Sequence, residues 1–186
     1  MRIVGVDEAG RGPLAGPVVA AAVYLELWQM KKLISLGLTD SKKLSPRKRE
    51  KLFQAILDME VCFRAQAASP TRIDRNNILK ATLWAMKRAV ISLPLRPDLV
   101  IVDGNRPIGL SVCKEKPLPG ADGKVPSVAA ASVIAKVLRD KVMINLSRVY
   151  PGYGFEKHKG YPTSEHYEAL KKLGPCQLHR RSFRLV

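Results

Sequence analysis

The feature that most constrains this chain lies in its first sixteen residues. An apolar run, Ile3 to Val6, ends in the adjacent carboxylates Asp7 and Glu8 and passes at once into Gly10-Arg11-Gly12-Pro13-Leu14-Ala15-Gly16. The run reads as a strand. The loop after it is too rich in glycine for regular structure and leaves its peptide groups open to close approach. Two acids beside such a loop suit phosphate chemistry when divalent cations neutralise the acids. Neighbours on a regular strand point to opposite faces, so Asp7 and Glu8 serve one site only if the strand ends or distorts there. From spacing alone, a competing reading makes these acids turn caps or members of surface pairs. Gly10-x-Gly12-x-x-Ala15 also fits a dinucleotide-binding pattern, but that pattern needs a helix to open at the glycines. Gly16-Pro17 would break such a helix, and the two acids would repel a pyrophosphate.

Charge points the same way as the loop. Lys and Arg number 32 against 16 Asp and Glu, a net charge of +16. Such an excess favours polyanions, because each phosphate neutralised releases counterions; the alternative is a merely soluble basic surface. Cys62, Cys113 and Cys176 are odd in number and scattered, which argues against a disulfide framework and for a reducing compartment. The longest apolar stretch, Val18 to Leu25, falls far short of the roughly 20 residues that span a bilayer, and Met1-Arg2 leads straight into strand residues rather than a signal peptide. A cytoplasmic protein with no membrane segment is expected. Its 186 residues suit a single domain, with a core over about 1–148 and a C-terminal segment over about 149–186.

Taken in order, Ile3–Asp7 and Val18–Leu25 form an expected hairpin, the second strand covered on both faces. Ser45-Pro46 starts a helix with Leu52, Phe53, Ile56 and Leu57 as its apolar stripe. Val61 to Ala68 reads as a strand. Asp74 is placed to cap a helix in which Leu79, Leu83, Met86 and Val90 recur. Leu99 to Val102 is an apolar strand delivering Asp103 at its C-terminal end, where α/β sheets collect functional side chains. After irregular residues 104–127, with one short strand, a long helix opens at Pro126. Its alanine-rich start permits close packing, and Val133, Val137 and Ile144 share one face. A helix near Ser164 to Leu173 and a basic tail, His179 to Arg184, follow. The alternation of strands and helices implies an α/β layer structure with a mixed sheet.

Several of these segments together resemble the bacterial ribonuclease HII family. They are Val6 to Pro17, Asp40-Ser-Lys-Lys-Leu-Ser45, Asn76-Asn-Ile78 with Ala85-Met86, and Val102-Asp103-Gly104. Ala129 to Asp140, His158-Lys-Gly-Tyr161-Pro-Thr163, Gly174-Pro-Cys176 and His179-Arg-Arg-Ser-Phe183 continue the match, in order, over essentially the whole chain. The arginine of Gly10-Arg11-Gly12 separates this family from ribonuclease HIII, which has lysine there. The resemblance implies an RNase H-like mixed five-stranded sheet flanked by helices, with a small C-terminal helical segment. It implies an endonuclease that hydrolyses the RNA strand of RNA–DNA hybrids and cuts 5′ of single ribonucleotides embedded in duplex DNA, leaving 3′-hydroxyl and 5′-phosphate ends.

Carried over by motif, Asp7, Glu8, Asp103 and Asp122 are the metal-binding carboxylates of a two-metal site for Mn2+ or Mg2+. Asp122 has the family spacing to Val128, although Ala121 precedes it where the family has glycine. Asp140 competes for that role but can pair with Lys136, four residues earlier. Gly10, Arg11 and Gly12 resemble the element that reads a ribose 2′-hydroxyl through backbone groups, and Tyr161 the tyrosine at the RNA-to-DNA junction. Lys42, Lys43, Arg180 and Arg181 are expected phosphate contacts, as are His158 and His179, each with plain solvated charge as the alternative. Cys176-x-x-His179 has half a zinc spacing, without a second pair nearby. A monomer is expected, with little room after Phe183 for a clamp-binding peptide. Two readings compete with the endonuclease: a non-catalytic hybrid-binding protein, and a nuclease indifferent to the 2′-hydroxyl.

Overall fold

A computed structural model describes residues 1–185. Its centre is the strand that opens the chain. β1 (Ile3–Ala9) pairs antiparallel with β2 (Val18–Tyr24), which pairs antiparallel with β3 (Cys62–Ala68). On the other side β1 pairs parallel with β4 (Leu99–Asp103), and β4 with β5 (Lys114–Leu118). The order β3-β2-β1-β4-β5 is a mixed five-stranded sheet with β1 in the middle. β5 tolerates Pro117 because it is an edge strand with one unpaired side.

The helices are α1 (Leu27–Ser35), α2 (Pro46–Asp58), α3 (Pro70–Asn76), α4 (Ile78–Ile91), α5 (Pro126–Val149), α6 (Phe155–His158) and α7 (Ser164–Leu173). They divide between the sheet's faces by the period of two that a strand dictates. Val4, Val6, Val18, Ala20 and Ala22 pack against Ala81, Ala85, Met86 and Ala89 of α4. Ala21 and Val23 point the other way, to Ala130, Ala131 and Ile134 of α5, beyond which lie Leu33 of α1 and Leu52, Phe53 and Ile56 of α2. The first turn of α5 approaches β1 so closely that a Cβ on Gly5 would lie 2.3 Å from the Ser127 carbonyl carbon and the Val128 nitrogen. A smaller cluster, Ala15, Met143, Tyr153 and Phe155, fixes α6 to the far half of α5.

The hairpin, the buried second strand and the Ser45–Pro46 helix start are as expected. Ser45 accepts a hydrogen bond from the Lys48 N–H, which caps α2. Three expectations need correction. α1 is a helix that the sequence did not signal, because Leu27, Trp28 and Ile34 remain exposed and blur its apolar stripe. Asp74 caps nothing: α3 is capped by Ser69 and α4 by Asn77, and Asp74 stands inside α3. Leu57 and Ile144, expected on buried faces, are 40% and 38% exposed because their helices turn the neighbouring Leu52–Phe53–Ile56 and Val133–Val137 rows inward.

Candidate active site

The strand ends supply the site. Val6 is the last residue of β1 paired with β4, opposite Val102. Asp7 and Asp103 therefore follow side by side at the ends of two parallel neighbours. Asp122 comes from a 3-10 turn, Ala121–Gly123, entered through Gly120 at φ +67°. Asp103 holds that turn by accepting a 2.8 Å hydrogen bond from the Ala121 N–H. One carboxylate oxygen from each of Asp7, Asp103 and Asp122 lies within 4.8 Å of the others.

Burial makes this arrangement costly without a cation. Desolvation, and then the charges of Glu8 and Asp103, hold the Asp7 carboxyl well above its ordinary value. Asp122 is raised by burial, then by Asp103 and Asp40. Among the described residues, the cation paired with this group is Lys42, its Nζ 4.0 Å from Asp122 on an exposed stem. Burial depresses the Lys42 ammonium, but Asp7, Asp122, Asp40 and Asp103 outweigh that and raise it. Hard oxygen donors with surplus negative charge at the end of a sheet fit a divalent cation such as Mg2+ or Mn2+.

Glu8 stands apart. The strand does not break at Asp7–Glu8; its ladder with β2 runs on through Asp7↔Ala21, Glu8↔Ala20 and Ala9↔Val19. Glu8 thus takes the parity of Val4 and Val6, not that of Asp7, and it lies outside the three-carboxylate cluster. Its carboxylate is 3.6 Å from the Arg11 guanidinium. Burial raises the Glu8 carboxyl, with Arg11 opposing. Asp140 pairs with Lys136 at 2.7 Å, as its spacing suggested, and also remains outside.

The glycine loop leaves β1 beside these acids. Gly10 is buried while Arg11 and Gly12 are exposed. A Cβ on Gly12 would meet only Tyr161 Cε1, at 4.0 Å, so the loop and the tyrosine are neighbours with open space before them. Tyr161 is 39% exposed, and its ring lies 5.6 Å from Lys136 Nζ and 5.7 Å from Arg139 Cζ. Lys42, Lys43 and Arg181 are exposed. A groove alongside Tyr161, lined by Arg49, Lys136, Lys141, Lys157 and Lys159 with Asp140 and Glu50 paired to Lys136 and Lys141, carries a net positive charge; it was not singled out from the sequence because these residues are scattered over α2, α5, α6 and the turn after it.

Arg180 and His179 are corrections. Arg180 is fully buried. It donates through Nε to the Gly16 carbonyl, through Nη1 to Arg11 and through Nη2 to Gly10, at 3.0, 2.9 and 2.6 Å. Each of its three nitrogens is turned to a carbonyl, and its burial keeps it from an external phosphate. His179 is buried as well: its Nδ1 accepts from the Cys176 N–H at 2.9 Å and its Nε2 meets His166 Nε2 at 3.0 Å. With His179 Nδ1 an acceptor, its Nε2 carries the proton and donates to His166, whose Nδ1–H donates to the Tyr161 carbonyl at 2.9 Å. His158 bonds the Tyr153 carbonyl through Nε2 and accepts from the Gly160 N–H. These imidazoles hold backbone around Tyr161 and do not gather into a metal site among the described residues. Asp74 completes the anchoring, accepting from the N–H groups of Arg181 and Ser182 and from the Ser182 hydroxyl.

The ribonuclease HII family profile matches residues 4–186. A ribonuclease HII from Azorhizobium caulinodans is 53% identical over 185 residues, 97% of this chain and 68% of that one. One from Xanthobacter autotrophicus is 51% identical over 97% of this chain and 70% of its own length. The crystal structure of ribonuclease H2 from Pyrococcus horikoshii superposes with a TM-score of 0.84 at 29% identity, over 100% of this chain and 95% of that one. With its sheet order, its strand-end carboxylates and its glycine loop all in place, the chain belongs to the ribonuclease HII family.

Proposed function

We propose that this nuclease hydrolyses the RNA strand of RNA–DNA hybrids and cuts duplex DNA on the 5′ side of embedded ribonucleotides. The reading rests on one observation above the others: Asp7, Asp103 and Asp122 converge within 4.8 Å at the mouth of a loop whose exposed member, Gly12, borders Tyr161. Asp7, Asp103 and Asp122 would hold Mg2+ or Mn2+, with Glu8 as the flanking fourth carboxylate. Divalent ions bound there supply a water acidified for attack and charge to stabilise the leaving oxygen.

The chain's own residues do the rest. Asp103 fixes Asp122 through the Ala121 N–H, so the carboxylates keep their places before substrate arrives. Gly10-Arg11-Gly12 offers backbone groups to a ribose 2′-hydroxyl, the one group that marks RNA at a given position. Tyr161 presents an exposed ring to the next sugar, and Lys42, Lys43 and Arg181 offer charge to phosphates. The basic groove of Arg49, Lys136, Lys141 and Lys159 continues that surface along the duplex. Removal of ribonucleotides from DNA and of RNA primers in the cytoplasm, by a monomer, is the corresponding role.

The test is a duplex carrying one ribonucleotide, incubated with Mg2+ or Mn2+, beside an all-DNA control. A single cut 5′ of the ribonucleotide, abolished by EDTA, is expected. Equal cutting of the control would leave a nuclease without sugar selection. Tight hybrid binding with no cleavage under either metal would instead favour a binding protein, the reading that the +16 charge alone supports.

A further inference from the structure

Two buried cations lie behind the glycine loop, with Asp140 and Asp74 acting on them only from beyond ion-pair distance. Arg139 and Arg180 are both fully buried. Among the described residues, no carboxylate comes within ion-pair distance of either. Their partners are carbonyls: Arg180 binds those of Gly10, Arg11 and Gly16, and Arg139 those of Ala15 and Pro17, at 3.1 and 2.9 Å. Burying like charges together is unfavourable, and a hydrophobic pair of similar volume is commonly as stable. The arrangement therefore calls for a reason beyond packing.

The geometry of the peptide group supplies one. A planar trans peptide points its N–H opposite to its C=O. With the Gly10 and Arg11 carbonyls drawn inward by Arg180, the N–H groups of Arg11 and Gly12 face outward. Among the described residues neither N–H has a backbone acceptor. They open beside Tyr161, on the side where Arg11 and Gly12 are exposed. A guanidinium on each carbonyl also polarises its peptide, which strengthens the N–H at the other end as a donor. Arg139 fixes the same loop from beneath. Gly10, at φ +99°, lies so close to it that a Cβ would fall 2.0 Å from Arg139 Nε. The remaining Arg139 nitrogen, Nη1, is buried without a partner, on a guanidinium 5.7 Å from the centre of the Tyr161 ring.

We propose that Arg180 and Arg139 are positioning residues for sugar discrimination: they turn and polarise the Gly10–Gly12 peptides so that two adjacent N–H donors meet the 2′-oxygen of a ribonucleotide. The proposal rests on the ribose-reading role assigned to this loop above and adds the residues that enforce it and the polarity of the contact, donors on the protein and acceptor on the sugar.

The test measures binding in the Asp103→Asn background, with one duplex containing a single ribonucleotide and one all-DNA duplex of the same sequence. Arg180→Lys keeps the charge but cannot reach three carbonyls. Its preference for the ribonucleotide duplex is expected to fall tenfold or more, with all-DNA binding changed less than twofold. Arg139→Lys is expected to act in the same direction more weakly. Should Arg180→Lys fail to fold, amide exchange on the Asp103→Asn protein decides the matter: the Arg11 and Gly12 amides are expected to be protected by the ribonucleotide duplex and not by the all-DNA duplex. A folded Arg180→Lys that keeps its full preference, or amides protected equally by both duplexes, overturns the proposal. A parent protein that binds both duplexes alike would overturn the substrate reading itself.

Discussion

Two buried charge clusters flank the end of β1, and they differ in how their charge is satisfied. The acid cluster gathers Asp7, Asp103 and Asp122 with, among the described residues, only Lys42 at ion-pair distance, so most of its neutralisation must come from outside the fold. The guanidinium cluster, Arg139 and Arg180, meets carbonyls of five loop residues already in place. One site lacks counter-charge and is suited to bind; the other spends all but one of its guanidinium nitrogens, Arg139 Nη1, on carbonyls and is suited to hold. The same physics, charge removed from water, therefore serves chemistry on one side of the strand and positioning on the other.

The comparison predicts opposite responses to removing a charge. Asp103→Asn should reduce cleavage by on the order of a thousandfold, because a metal-held charge stabilises the transition state by several kcal/mol. The melting temperature should stay level or rise, since a like-charge contact is relieved; a drop of several degrees would mean that the acids are structural. Arg180→Ala should do the reverse to stability and lower it by about 3 kcal/mol, read from urea unfolding, because buried carbonyls lose their donors. Stability within 0.5 kcal/mol of the parent, the range of ordinary surface changes, would remove the clamp from the account.

Acid sharpens the contrast further. Burial and His166 push the His179 imidazole down to about 4, and burial also depresses His166. Between that value and the ordinary 6.5 the unfolded chain binds more protons than the folded one, so stability is full above 6.5 and declines as pH falls toward 4. The acid cluster has the opposite sign. Asp7 is raised, so its folded form takes up a proton more readily than the unfolded chain, and stability is lost as pH rises through the folded value. The difference in urea unfolding free energy between the parent and a His179→Gln protein should isolate the His179 contribution, a loss of about 2 kcal/mol from pH 6.5 to 4.5. The smallest effect belongs to Gly12→Ala, expected to change stability by less than about 0.5 kcal/mol while weakening ribonucleotide binding. Gly10→Ala, with φ +99° and Arg139 in the way, should destabilise clearly. Equal thermal shifts for the two glycines would erase the distinction between a packed and an open face.

What the sequence made legible follows the range of the signals involved. Ser45-Pro46, the apolar run ending in Asp103 and the helix opening at Pro126 are local patterns, and each element lies where it was expected. Asp7, Asp103 and Asp122 were identifiable as a group through their motifs, and strand ends bring them together. Glu8 shows the limit: strand parity along the unbroken ladder with β2 sets its direction apart from that of Asp7, yet its charge still raises Asp7, so it flanks the cluster rather than joining it. Arg180 looked like one more basic tail residue. Its burial depends on a loop more than 160 residues earlier in the chain, and no local pattern encodes such a contact. Arg139 was hidden for a related reason, since an arginine in the middle of a long helix ordinarily faces water.

The separation between Arg180 and its partners has a consequence for the order of assembly. The hydrogen bonds from Arg180 close loops of 164 to 170 residues, while Asp7, Asp103, Asp122 and the first turns of α5 all lie within residues 1–149. Long loops close at a greater entropic cost and form late. As the chain is synthesised, the carboxylates can be brought together well before residue 180 exists. The fixing of the Gly10–Gly12 carbonyls thus follows the gathering of the carboxylates, and it comes from a residue far along the chain.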